Sequence, residues 1–156
     1  MDYLEIFAPV VKHVSIRILL SIVAQKNLEL EQLDVETAFF HGELKEKIYM
    51  MPPEGFESLF KENEVCLLNK SLYGLKQAPR QWNEKFDHYM TEIGFKRSDY
   101  DSCSTMYLLL YVYDMLVAAN NMQAIDALKK ELSNKLEMKD LGATKKILGI
   151  EIIRDR

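Results

Sequence analysis

Apolar side chains recur along the chain at two periods, and each period predicts a different kind of element. A spacing of three and four residues, typical of an amphipathic helix, occurs over 14–26, 81–93 and 123–136. Pro79 fits the first turn of the second helix, where its missing N–H costs nothing, and Gly94 fits its end. The pattern therefore predicts three helices.

Short apolar or alternating runs predict the strands, which cover Glu29–Val35, 47–50, 65–68, 107–112, 115–119 and 147–153. In the first strand the two-residue period puts Leu33 and Val35 on one face and Asp34 on the other. The order of helices and strands predicts an α+β fold in which an antiparallel sheet carries helices packed on one face.

One apolar run, LLLYVYDMLVAANN (108–121), carries a single carboxylate, Asp114, near its middle. Burying an unpaired charge is costly, so the run predicts a tight hairpin whose exposed turn keeps the carboxylate ionised. Aspartates are common at turns because they bond their own backbone, and turn chemistry alone explains this one. The run is also too short to cross a membrane.

Composition narrows the class of protein only slightly. The chain has 156 residues, enough for one domain, with 48% hydrophobic and 28% charged residues, as in an ordinary soluble protein. A formal net charge of −4 lacks the overall basic footprint of a nucleic-acid binder. Two cysteines, Cys66 and Cys103, make no disulfide framework, and the start of the chain is a poor signal peptide. We expect an intracellular protein, cytoplasmic or nuclear, that is neither secreted nor in a membrane.

Five motifs, read together, resemble one protein family. They are QLDVETAFFHGEL (32–44), KSLYGLKQAPRQW (70–82), LLLYVYDML (108–116), MKDLG (138–142) and ILGIEI (147–152). Their order resembles that in the reverse transcriptase of copia-type (Ty1/copia) retrotransposons, part of a Pol polyprotein, over essentially the whole chain. The resemblance implies a ferredoxin-like polymerase palm. It identifies residues 1–156 as a single partial reverse-transcriptase (palm) domain, without the fingers, thumb and RNase H regions.

The resemblance also implies a catalytic metal site. Polymerases of this kind join nucleotides with two Mg²⁺ ions held by carboxylates. Asp34 matches the first catalytic aspartate, and Asp114 matches the second aspartate of the hairpin motif YVDD. The first aspartate of that pair is replaced by Tyr113. A phenol is neutral at neutral pH and cannot replace a carboxylate as a Mg²⁺ ligand, so we expect weak or absent Mg²⁺ binding and no catalysis.

Further residues match the family's substrate contacts. The Val35 carbonyl would help to hold a metal ion, and Phe39 matches the bulky residue beside the sugar 2′ position of a deoxynucleotide. A core phenylalanine after a strand is the alternative interpretation of Phe39. The loop residues that match the floor under the incoming nucleotide and the RNA or DNA template-primer are Tyr73, Gly74, Lys76 and Gln77.

The last matches lie near the end of the chain. Lys139 falls in the motif that supplies a lysine to protonate the leaving pyrophosphate, although a solvated charge at a helix end explains it equally well. Leu148 and Gly149 match the strand that grips the primer, with a core strand end as the alternative. The histidines have no partners at ligand spacing, so no metal role is assigned to them.

Two other hypotheses remain open at this stage. One is a domesticated, non-enzymatic interaction module built on the palm scaffold. The other is a translated pseudogene that does not fold stably. The pseudogene hypothesis is favoured because the family has a longer segment, roughly one more hairpin, where this chain has only three residues between Cys103 and Tyr107.

Overall fold

The computed structural model describes residues 12–56, 59–61, 64–96 and 106–154. The described residues belong to two compact units, one formed by 38–96 and the other by 12–37 together with 106–154. The shortened segment after Cys103 lies outside the described residues.

The elements follow one another in a mixed order that confirms the α+β class. They are α1 (His13–Lys26), β1 (Glu29–Val35), a 3₁₀ turn (Ala38–His41), β2 (Glu43–Met50), β3 (Cys66–Lys70), α2 (Ala78–Glu92), β4 (Met106–Tyr111), β5 (Asp114–Ala119), α3 (Met122–Ser133), β6 (Met138–Ala143), β7 (Lys146–Ile147) and β8 (Ile150–Glu151). No helix among these described elements is long and apolar enough to span a membrane.

The unit formed by 12–37 and 106–154 is built on a four-stranded sheet in the order β4-β5-β1-β6. Every neighbouring pair in it is antiparallel. Strand β1 lies between β5 and β6, so side chains from three strands meet along its length. This central position decides where the residues of the candidate site lie.

Helices cover this sheet on both faces. On one face, Leu30 of β1 and Leu116 of β5 pack in a cluster with Ile16 of α1. On the other face, Lys129 of α3 bonds to Glu31, the residue after Leu30 on β1. The prediction of helices on a single face is therefore wrong for this unit. The reason is visible in β5, where Met115–Ala119 is buried at every position, as expected of a strand covered on both faces.

The unit formed by 38–96 contains the antiparallel pair β2–β3, the 3₁₀ turn and α2. Helix α2 begins with Pro79 in its first turn and ends before Gly94, whose φ is +95°, as the sequence predicts. Trp82 and Phe86 are buried on the inner face of the helix. The helix comes close to the backbone at Gly42, where an added Cβ would lie 3.0 Å from the Cβ of Gln81.

Three parts of the strand prediction differ from the structure. Strand β2 begins at Glu43, four residues before the predicted start at 47. Strand β6 was not predicted, because MKDLGA lacks a two-residue alternation of apolar and polar residues. The single strand predicted over 147–153 is wrong, because the chain reverses at Leu148 and Gly149 to form the β7–β8 hairpin. Both turn residues have positive φ, 45° and 81°, as a two-residue hairpin turn of this kind requires.

Candidate active site

Asp34 and Asp114 lie opposite each other on neighbouring strands. They are the last pair in the register between β1 and β5. Directly opposed residues of an antiparallel pair project from the same face, with Cβ atoms about 4.5–5.5 Å apart. The two carboxylates, which the resemblance assigns to one metal site, therefore project from the same face of the sheet. The expectation that Asp114 lies in the exposed turn is wrong. Asp114 is the first residue of β5, and the turn itself consists of Val112 and Tyr113.

Lys139 extends this row to a third strand. It lies on β6 opposite Asp34, on the side of β1 away from Asp114. Burial raises the pKa of the Asp34 carboxyl above its ordinary value, and the negative charge of Asp114 raises it further. The positive charge of Lys139 acts in the opposite direction. The three side chains therefore form one electrostatically coupled row across β5, β1 and β6.

Gln32 is a further member of the site that the sequence did not single out. Its side-chain amide nitrogen donates a hydrogen bond of 3.2 Å to Oδ1 of Asp114. Gln32 lies two residues before Asp34 on β1, so the strand period places both on one face. The strand period was the available sequence signal, because it puts the polar side chain of Gln32 on the same face as Asp34.

The turn between β4 and β5 is tied to β1 through the backbone. The Val35 amide donates a hydrogen bond of 3.0 Å to the Tyr113 carbonyl. Val112 has a φ of +59°, an uncommon and strained conformation for a β-branched residue. Tyr113 as a whole residue is 43% exposed. The main chain of Tyr113 is thus tied to Val35, the last residue of β1.

The residues expected to contact the nucleotide belong to the unit formed by 38–96. The rings of Phe39 and Tyr73 meet edge to face, with centroids 4.7 Å apart and planes at 63°. Gly74 follows with a φ of +94°, and Gln77 is the residue from which α2 begins. The structure brings Phe39 and Tyr73 together, while the nucleotide-binding roles of Phe39, Tyr73, Gly74, Lys76 and Gln77 stay predictions.

Leu148 and Gly149 lie in the β7–β8 turn rather than in a strand. Leu148 packs against the apolar cluster that contains Ile16 and Leu30. Its core contact agrees with the alternative interpretation of this residue, and the primer-grip role stays a prediction.

Two carboxylates at this site could serve as oxygen ligands for a cation. In the described part of the chain, no group of three or more histidine, cysteine, aspartate or glutamate side chains is placed to hold a metal ion. Asp34 and Asp114 are the side chains on this face that could do so. The roles assigned to them, and to the carbonyl of Val35, stay predictions.

Comparison with known proteins identifies the family. The family described as reverse transcriptase (RNA-dependent DNA polymerase) matches residues 1–156. The Retrovirus-related Pol polyprotein from transposon TNT 1-94 of Nicotiana tabacum is 51% identical over 165 residues, covering 100% of this chain and 12% of that protein. The Pol polyprotein from transposon RE1 of Arabidopsis thaliana is 39% identical over 99% of this chain and 11% of that protein. A putative transposon Ty5-1 protein of Saccharomyces cerevisiae is 38% identical, covering 77% of this chain and 42% of its own. The chain therefore spans a small part of the Pol polyproteins that it matches, and it belongs to the reverse transcriptase family of copia-type retrotransposons.

Proposed function

We propose that this chain is a partial polymerase domain whose catalytic metal site has lost one of three carboxylates and no longer adds nucleotides to a primer. The observation that carries the proposal is the pair Asp34 and Asp114, directly opposed across β1 and β5. Tyr113 stands beside them at the position where the family has its third carboxylate. Two of the three expected ligands therefore share one face, and the third position holds a phenol in place of a carboxylate.

The sheet supports the proposal that this domain is a ferredoxin-like palm. Numbered along the chain within the sheet, β1, β4, β5 and β6 are its first to fourth strands, and their order in space is second, third, first, fourth. Helix α2 precedes the second strand in the chain and α3 precedes the fourth, which gives the β-α-β-β-α-β succession of ferredoxin-like folds. On this proposal both compact units belong to one partial reverse-transcriptase domain.

The donor set fits a Mg²⁺ ion incompletely. Carboxylate oxygens are the ligands that Mg²⁺ prefers, and Asp34 and Asp114 supply them on one face. The charge of Asp114 helps to raise the pKa of Asp34, so the two carboxylates repel each other, and a cation between them would relieve that repulsion. When bound, Mg²⁺ stabilises the attacking and leaving oxygens of phosphoryl transfer. With two carboxylates, we expect one weakly held ion rather than a bridged pair.

The chain's own groups retain part of the polymerase arrangement. Gln32 donates to Asp114 and so restrains the orientation of that carboxylate. The ammonium of Lys139 faces Asp34 from β6, where it could neutralise or protonate a leaving phosphate. By family membership we assign a template-primer of RNA or DNA and deoxynucleotides as the ancestral ligands, and a place inside the cell. The edge-to-face pair of Phe39 and Tyr73 supports a nucleotide-binding role for that loop.

The alignment with the tobacco relative supports degeneration. It extends over 165 residues and includes all 156 of this chain, so the relative carries internal residues that this chain lacks. This agrees with the shortened segment that the family motifs place after Cys103. Loss of residues and loss of a ligand are both expected of a sequence no longer selected for catalysis.

A metal titration of two variants tests the proposal. Mn²⁺, which takes the same oxygen ligands as Mg²⁺ and broadens nearby NMR signals, is titrated into the chain, into Tyr113→Asp and into the matched control Tyr113→Asn. Tyr113→Asp restores the third carboxylate and should tighten binding at least about tenfold, whereas the neutral control should not. Equal affinities for the chain and Tyr113→Asp, or tight binding of two ions by the unmodified chain, would contradict the proposal.

A further inference from the structure

Strand β6 carries Lys139 into the site although little apolar packing holds the strand. Among the described strands it lies at the edge of the sheet and pairs with β1 alone. None of its six residues is fully buried, and its register with β1 shifts between Gln32 and Leu33. The register of a strand is strongly specified where one of its faces is buried and weakly specified where neither is. Something other than burial must therefore decide which residue of β6 lies opposite Asp34.

A charged cluster outside the site meets this strand. The Lys129 ammonium, on α3, donates to Glu31 at 2.7 Å and to Asp140 at 2.8 Å. The side chains of Lys129 and Glu31 are only 14% and 10% exposed. Burial by itself would lower the pKa of Lys129, yet its hydrogen bonds to Asp140 and Glu31 raise it, so the lysine is charged at neutral pH. One ammonium thus joins α3, β1 and β6.

The alternation of side chains makes this cluster sensitive to register. Asp140 pairs with Leu33, on the face of the sheet that α3 covers, whereas Lys139 pairs with Asp34 on the opposite face. A slip of one residue would exchange these faces, because the side-chain period of a strand is two. It would move the Asp140 carboxylate away from Lys129 and remove Lys139 from the face of Asp34.

We propose that Lys129 is a positioning residue that fixes the register of β6 by holding Asp140 beside Glu31, and so keeps Lys139 opposite Asp34. Setting the register is the best-attested role of partly buried polar and ionic groups, whose net contribution to stability is often small. The inference rests on the proposed function only in taking Lys139 as a group of the site. The register can be measured without metal, nucleotide or catalysis, so its failure and the failure of the proposed function are distinguishable.

NMR of the isotope-labelled chain tests the proposal with two readouts. The first is the cross-strand nuclear Overhauser effect between residues 34 and 139, and the second is hydrogen exchange of the amides that join β6 to β1. In Lys129→Met, which keeps the aliphatic stem but removes the charge, the Overhauser effect should weaken or disappear. Exchange of these amides should accelerate about tenfold or more, while exchange in the β4–β5 pair stays within about twofold.

Two matched variants separate positioning from general stabilisation. Lys130→Met removes an exposed charge from the same helix and should change neither readout. Lys129→Arg keeps a cation able to bridge both carboxylates and should preserve the contact between residues 34 and 139. If Lys129→Met does not fold, Asp140→Asn provides the same test, because it removes the charge that attracts Lys129 to β6. It leaves Lys129 paired with Glu31 and keeps an oxygen for the Gly142 amide. Retention of both readouts in the folded variant, or uniform acceleration of exchange throughout the sheet, would overturn the proposal.

Discussion

The pKa of the Asp34 carboxyl depends on the charges of its two neighbours, Asp114 and Lys139. This pKa is raised first by burial and then by Asp114, while Lys139 lowers it. We predict that Asp114→Asn lowers this pKa and that Lys139→Met raises it further. An NMR titration of the side-chain carboxyl carbons measures both shifts, with the exposed substitution Asp126→Asn as a control. Shifts of the opposite sign would mean that the three groups are not coupled as described.

The raised pKa of Asp34 also predicts how the stability of the folded chain changes with pH. Because the pKa of Asp34 is raised on folding, the folded state binds more protons than the unfolded chain between the two pKa values. The unfavourable contribution is fully present above the folded pKa and disappears as the pH falls below the ordinary value of 3.8. Asp34→Asn should therefore stabilise the chain at neutral pH, by less than about 1 kcal/mol because the site is partly open to solvent.

Urea unfolding at neutral pH and below the ordinary carboxyl pKa measures this difference. The gain from Asp34→Asn should be present at neutral pH and absent in acid. A loss of stability at neutral pH would show that the ionised carboxylate is favourably paired in the folded state.

For individual residues, part of the site could be predicted from the sequence. The resemblance to the polymerase family, together with the strand period around Asp34, predicted that the two carboxylates share a face. Gln32 was not identified, because a glutamine within a strand has no signal of its own until the register shows which residue it faces. The coupling to Lys139 likewise depends on the pairing of β6, which the sequence did not predict.

The helices and strands predicted well are those whose apolar pattern ends where the sequence also has a turn signal. Strand β1 has the predicted bounds, Glu29–Val35, because buried Leu33 and Val35 alternate with Gln32 and Asp34 before a turn. Strand β6 has no fully buried residue and contains Gly142, so its strand conformation comes from pairing with β1 rather than from its own residues. The β7–β8 hairpin was predicted as one strand because Leu148 takes a positive φ that leucine rarely adopts.

The start of α3 provides a prediction with a closely matched control. The Asn121 side chain accepts a hydrogen bond of 2.9 Å from the amide of Ala124 and so caps the helix. Asn121→Ala should lower the free energy of unfolding by about 1 kcal/mol, since the cap satisfies an amide that the helix leaves unpaired. Asn120→Ala changes the preceding exposed asparagine and should have an effect within about 0.5 kcal/mol. Equal effects of the two changes, measured by urea unfolding, would argue against the cap.

The close approach of α2 to the backbone at Gly42 leads to a further prediction about stability. An added Cβ would lie 3.0 Å from the Cβ of Gln81 and 3.3 Å from that of Ser71, which is fully buried. Gly42→Ala should therefore destabilise the unit formed by 38–96 by about 1–3 kcal/mol, because overpacking forces neighbouring groups to move. Glu46→Ala, at an exposed position of β2, serves as the control in thermal unfolding. An unchanged melting temperature for Gly42→Ala would show that α2 can move away without cost.

Across the whole molecule, the candidate groups are divided between two compact units. The row of Asp114, Asp34 and Lys139 belongs to the unit that contains the four-stranded sheet, and the pair of Phe39 and Tyr73 belongs to the unit formed by 38–96. The chain also spans only 12% of the tobacco Pol polyprotein that it resembles. Catalysis is thus best examined with this segment placed inside a longer polymerase.

Template-dependent primer extension in that context tests the central claim, that Tyr113 abolishes catalysis. In the Pol polyprotein of the tobacco relative, the residue aligned with Tyr113 is changed to tyrosine, and incorporation is compared with that of the unmodified protein. A segment swap carrying residues 1–156 is assayed with Tyr113 and with Tyr113→Asp. Removal of one preorganised electrostatic group typically lowers the rate by about 10²–10³-fold, and we expect at least this loss with tyrosine in either background. Incorporation by the tyrosine form of the tobacco protein at the rate of the unmodified protein would contradict the account.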